Sequence, residues 1–142
     1  MPVLRNPQFY FKEGFCWTNV LNPHAKDIKC KLKGKTINDV GSMSLYSLLN
    51  YYLICLLNSR LIFNYYRTFI NNTVNIQIND IRQIPIVIPN KEQIKCFNKI
   101  FDNAIKIKKM EYSKSILLEY SEKELNILQK QLDLDVNKLY SI

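Results

Sequence analysis

The spacing of apolar residues changes along this chain, and the changes divide it. Over residues 8–40 the period is two. "QFYFKEGFCW" is aromatic and β-prone, and "DIKCKLKGKTI" alternates Ile28, Cys30 and Leu32 with Lys29, Lys31 and Lys33 before a turn at Gly34. Such a strand would lay an apolar face on a core and turn a comb of lysines outward. A turn at Gly41 and Ser42 follows, and the period then lengthens. "SLYSLLNYYLICLLNSRLIFNYYRTFI" reads as helix in two pieces that meet near Asn58 and Ser59, with Leu48, Tyr52, Cys55 and Leu56 on one face and Leu61, Tyr65 and Phe69 continuing it.

Between this helical stretch and the next lies the seam "NNTVNIQINDIRQIPIVIP". Its first part alternates Val74, Ile76 and Ile78 with Asn75, Gln77 and Asn79, the pattern of a half-buried strand with amides outside. "NDIRQIP" predicts one helical turn capped by Asn79 or Asp80 and stopped at Pro85, and Ile86 to Ile88 predicts another short strand. From Asn90 no Pro or Gly interrupts a helix, although Ser121 and Glu124 have the S-x-x-E spacing that opens a second one. Leu125, Leu128, Leu132, Val136 and Leu139 form an apolar stripe that requires an antiparallel helix or another chain. The expected fold is α+β: a small mixed β-sheet with packed helices over residues 1–90, then long C-terminal helices over 91–142 that act as a spacer or interaction region, packed on or continuous with the first.

Composition adds partners to this picture. The chain has 142 residues, 47% of them hydrophobic and 23% charged, which is enough for one real core. Its formal charge of +8 is concentrated toward the front: seven basic residues against three acidic in 1–40, three against one in 41–90, and ten against eight in 91–142. Lys26, Lys29, Lys31, Lys33 and Lys35 are placed to attract phosphates, or to form a solvated strand face. The run from Leu45 to Ile70 is interrupted by Asn50, Asn58, Arg60, Asn64 and Arg67, so it falls short of the roughly 20 apolar residues of a membrane span. The four scattered cysteines, with no secretory pattern before Phe9, make the reducing cytoplasm the expected location.

The residue chemistry supplies little for catalysis. His24, the sole histidine, stands eight and six residues from Cys16 and Cys30 with no C-x-x-C pair, so no metal site is expected. Gly14, Gly34 and Gly41 are isolated, so neither a phosphate-cradling loop nor a cofactor site is expected. Glu13 upstream of "DIK", Asp27 to Lys29, has the superficial form of a Mg²⁺-dependent nuclease site, which makes that activity a third-ranked alternative. Tyr51, Tyr52, Tyr65 and Tyr66 read as core residues at helical spacing before they read as base-stacking ones, and Trp17 is a candidate interface anchor.

In order, "FYFKEGFCWTNV", "INDVGSMSLY", "YYLICLLNSRLIFNYY" and "INNTVNIQINDIRQIPI" resemble the TaqI-like C-terminal specificity domain, a target-recognition domain, of bacterial adenine-specific DNA methyltransferases and type IIG restriction-modification enzymes. The step "IPIVIPNKEQIKCFNKIF" is similar to the end of a recognition domain in type I specificity subunits, where a Pro-rich step and an E-Q pair, here Pro85, Pro89, Glu92 and Gln93, open a spacer helix. The likeness spans roughly residues 8–140 and is strongest at Leu56–Leu61 and Thr73–Pro85. Where such domains often carry a second arginine-bearing strand, this chain has "KDIKCKL".

The resemblance implies a non-catalytic module that recognises double-stranded DNA and works with a methyltransferase, and with a restriction subunit in some assemblies. No N-P-P-Y type catalytic motif occurs, so no catalytic residue is assigned. Lys12, Lys29, Lys31, Lys33, Lys35, Arg60 and Arg67 are expected phosphate contacts, and Trp17, Thr18, Asn19, Asn75, Gln77 and Arg82 expected readers of base edges. For Asn75, Gln77 and Asp80 the competing role is to satisfy the backbone of a turn. The alternative function is a helical interaction module that docks a methylase or forms a helix-mediated dimer.

Overall fold

A computed structural model describes residues 6–38 and 41–142. Strand β1 (Gly14–Thr18) lies between β2 (Lys31–Lys33) and β3 (Ser42–Leu45) in a three-stranded sheet of order β2-β1-β3. The α+β class is as expected, but both pairings are antiparallel, so the sheet is not mixed. Register pairs Phe15 with Leu32 and Leu45, and Trp17 with Met43, so these side chains share one face. All five belong to the core or pack against it.

Helix α1 (Asn50–Leu57) is apolar nearly all round, and accordingly it is central, touching β1, β2 and α4 (Lys91–Tyr112). The expected break after it is real. Ser59 sits at the N-cap of α2 (Arg60–Tyr65), its Oγ accepting the Ile62 N–H at 3.4 Å, and α2 runs into a π-helical stretch over Tyr66–Ile70. Leu48, placed by spacing on the buried face, is instead fully exposed because the helix begins only at Asn50. Ser42 to Leu45, read as turn and helix start, form β3.

The seam is less regular than its alternation suggests. It makes one isolated bridge, Val20 to Asn75, and no strand, because only Ile76 of its three apolar residues is fully buried. A short helical turn, α3 (Ile78–Ile81), follows as expected, but Gln77 and not Asn79 or Asp80 is its N-cap: Asn79 and Asp80 lie inside it, and the Asp80 carboxylate accepts the Gln77 N–H at 2.9 Å. Residues 85–90 form no strand, in place of the second expected one. They are held by two tyrosines, Tyr52 donating to Val87 O and Tyr140 to Pro85 O, both at 2.6 Å.

Asn90 caps α4, accepting the N–H groups of Glu92 and Gln93 while Gln93 accepts that of Asn90. The helix ends at Ser113, where Lys114 adopts φ 57 and the N–H groups of Lys114 and Ser115 return to Glu111 O and Met110 O. This is a Schellman closure with lysine where glycine is usual. Helix α5 (Leu118–Leu139) returns along α4. Ser121 is thus no cap: it is buried in the first turn of α5, and its hydroxyl donates to the Glu111 carboxylate, which Lys108 also holds at 2.8 Å. Lys108 and Ser121 together hold that carboxyl below its usual range. The α5 stripe finds its partners within the chain, as Leu132 and Val136 join the same core as Trp17 and Leu56. Residues on both sides of position 90 therefore share one core.

Candidate nucleic-acid interface

The sheet face turned away from the helices carries Gly14, Cys16 and Thr18 on β1, Lys31 and Lys33 on β2, and Ser42 and Ser44 on β3. Asn38 lies across it, donating from Nδ2 to Ser44 Oγ at 2.7 Å and Ser42 Oγ at 3.4 Å. Thr18 and Lys31 are exposed. Lys29 and Lys35 flank β2 in solvent, Lys29 with φ 54 in a tight turn, and Lys12 is exposed before β1. The result is a hydroxyl- and amide-bearing face bordered by four exposed lysines, with chemistry suited to phosphates and base edges.

At the open end of this face the chain brings two distant segments together. Leu21 N–H donates to Val74 O at 2.7 Å and Ile76 N–H to Asn19 O at 2.9 Å, so Thr18, Asn19 and Val20 run beside Val74 and Asn75. Thr18, Asn75 and Gln77 are exposed and Asn19 half-buried. Val20 and Val74 add exposed apolar surface between them, of the kind that meets a thymine methyl.

Other expected contacts are committed elsewhere. Trp17 is fully buried, its indole donating to Ile76 O at 3.3 Å, so it anchors the seam to the sheet and is not a base reader. Lys33 is only 3% exposed and its ammonium donates to Lys12 O at 2.9 Å and Gly34 O at 3.2 Å, which removes it from the phosphate contacts. Arg60 pairs with Asp133, with 3.4 Å between Nε and Oδ2, while the same carboxylate accepts the Arg60 N–H at 2.9 Å at the start of α2. Arg67 donates to Thr73 O at 2.6 Å and closes the loop after the π-helical turn. Arg82 is exposed and reaches only Asn79 Oδ1, at 3.4 Å.

The amides of the seam mostly hold its turn. Asn71 Nδ2 donates to Asp80 Oδ2 at 2.9 Å and to Asn75 O at 3.0 Å, and Asn71 Oδ1 accepts both the N–H and the hydroxyl of Thr73 at 2.8 Å. Tyr66 adds its hydroxyl to Asp80 at 3.4 Å, and burial, with Asp80 beside it, pushes that phenol up to about 12. The acids of the nuclease alternative do not converge. Glu13 opens onto a cleft lined by Asn50, Tyr51 and Asn98, whereas Asp27 folds back to accept the Lys29 N–H at 2.9 Å. Among the described residues no three His, Cys, Asp or Glu side chains gather as a metal cage would require.

No protein-family model matches this chain, and none of the curated proteins is significantly similar to it. No family is assigned. Among the described residues, no helix is long and apolar enough to cross a membrane.

Ser42, Ser44 and Asn38 are the polar residues of this face that charge and amide chemistry overlooked. The run Ser42-Met43-Ser44-Leu45 does alternate with a period of two, and that alternation is the signal that would have placed both serines on the outer face.

Proposed function

We propose that this chain is a non-catalytic, sequence-specific double-stranded DNA recognition module of a restriction-modification methyltransferase or endonuclease assembly. The observation that carries the reading is the meeting of Thr18–Val20 with Val74–Asn75 at the end of a polar sheet face bordered by Lys12, Lys29, Lys31 and Lys35. Duplex DNA needs both elements: cations to set register on the phosphates and short polar side chains to read the groove. The family likeness of the quoted motifs supports the same reading.

Its test is duplex binding across a salt series. Each phosphate neutralised adds about 0.9 to the slope of log K against log salt, so replacing Lys31 and Lys35 by Ala should flatten it by roughly two. Thr18→Ala and Asn75→Ala should relax preference at particular base pairs while leaving the slope intact. Absence of binding to every duplex, also with a methyltransferase partner supplied, overturns the proposal.

A second reading, docking onto a methylase through the helices, is favoured by the tip of the α4–α5 hairpin, where Tyr112 is 92% and Leu117 78% exposed. Leu132 is a core residue and would test folding. Tyr112→Ser with Leu117→Ser is the informative pair, since it should abolish partner binding without unfolding the chain.

A further inference from the structure

At the covered end of the polar sheet face, Phe9 and Tyr46 stack with ring centroids 5.0 Å apart and planes within 12°. Lys33 lies 5.3 Å over the Tyr46 ring and Lys12 5.6 Å over the Phe9 ring, so the aromatic pair is bracketed by two ammonium groups. The inner half is immobile. Tyr46 packs on Gly14 so closely that a Cβ there would meet its Cδ1 at 2.7 Å, and the Lys33 ammonium is fixed by two carbonyls.

The outer half is open. Phe9 is 38% exposed, and Phe11 is 62% exposed with φ 59, a left-handed conformation that is strained for a bulky residue. An exposed aromatic ring held at strain two residues from a packed ring stack, with an exposed lysine over that stack, supplies the parts of a base-stacking platform.

We infer that Phe9, backed by Tyr46 and flanked by Phe11, receives an unpaired DNA base, with Lys12 moving from the Phe9 ring to the adjoining phosphate. Base–aromatic stacking outweighs the exposed cation–π contact it replaces, and the displaced ammonium gains an anionic partner. This inference rests on the DNA reading above and adds to it a preference for DNA with a base out of the stack.

The test compares the full chain's affinity for an intact duplex, the same duplex carrying one unpaired thymine, and the single strand. The bulged duplex should bind about tenfold more tightly than the intact one. Phe9→Leu and Phe11→Leu, which keep apolar bulk, should each reduce that preference and leave intact-duplex affinity unchanged. Equal affinity for bulged and intact duplexes, or a preference that survives both substitutions, overturns the inference. Binding of single strands and bulges with none to any intact duplex overturns the duplex-recognition reading and upholds this one. No binding to any of the three, with the chain alone and with a methyltransferase partner supplied, overturns both.

Discussion

The side-chain amide of Asn58 makes the two backbone hydrogen bonds that a neighbouring strand would make to Cys30: Oδ1 accepts the Cys30 N–H and Nδ2 donates to Cys30 O, both at 2.7 Å. Asn58 also offers its own carbonyl to Gln129 Nε2 at 3.1 Å. One residue at the joint of α1 and α2 thus ties the lysine-bearing strand to the core on one side and α5 on the other.

Asn58→Ala would leave both polar groups of Cys30 without their partner, and is expected to cost about 2–4 kcal/mol in urea denaturation. Asn58→Asp keeps the acceptor and loses the donor. It should be destabilising too, with the amide exchange of Cys30 less affected than in the alanine variant.

Asp80 gathers Asn71, Tyr66 and the Gln77 N–H on one carboxylate oxygen. Asp80→Ala should cost about 1–3 kcal/mol and speed hydrogen exchange at Gln77. If Asn75 reads DNA, the same change should weaken sequence preference more than it weakens overall affinity, because the seam beside Thr18 loses its fixed shape.

Alkaline pH should act through tyrosines. Burial raises Tyr52 and Tyr140 above the usual phenol range and takes Tyr66 to about 12. In the unfolded chain these phenols ionise near 10. Between 10 and 12 the folded state therefore binds more protons, and stability present below pH 10 falls as pH rises through that window. Absorbance titration of the nine tyrosines should show an ordinary class and a class that ionises only as circular dichroism is lost.

Thiol reactivity should separate Cys96 from the others. Cys16, Cys30 and Cys55 are buried, and burial pushes the Cys55 thiol up to about 12 and Cys30 higher still. A disulfide reagent should therefore titrate one thiol in the native protein and four in denaturant. Fast reaction of two or more native thiols would show that the sheet opens readily.

Much of the architecture was legible because it is written in local chemistry. The Asn58–Ser59 joint, the unbroken helical run after Asn90 and the apolar stripe of α5 are short-range signals, and each marks the element it should. What was not legible depends on distant contacts. Trp17 has the residue type of a base reader, but Ile76 O, 59 residues away, accepts its N–H and the ring is buried. The lysine comb lost Lys33 because the carbonyls of Lys12 and Gly34 converge on its ammonium, a geometry no alternation encodes. Ser121 had the spacing of a cap, but Lys114 ended the preceding helix earlier, through a left-handed residue that is not glycine. At the polar sheet face, residue types indicated the chemistry, while the pairing of 18–20 with 74–76 depended on tertiary hydrogen bonds.

Tyr52, from α1, and Tyr140, from the end of α5, together strap residues 85–87. A 22-residue helix such as α4 is about 33 Å long, so it works as a lever whose fulcrum is this strap. Lengthening either helix by one residue would rotate the tip by about 100° about its axis and advance it about 1.5 Å. The register of Tyr140 against Pro85 therefore decides which way Tyr112 and Leu117 point relative to the three-stranded sheet, and so how far from it anything mounted on them would sit.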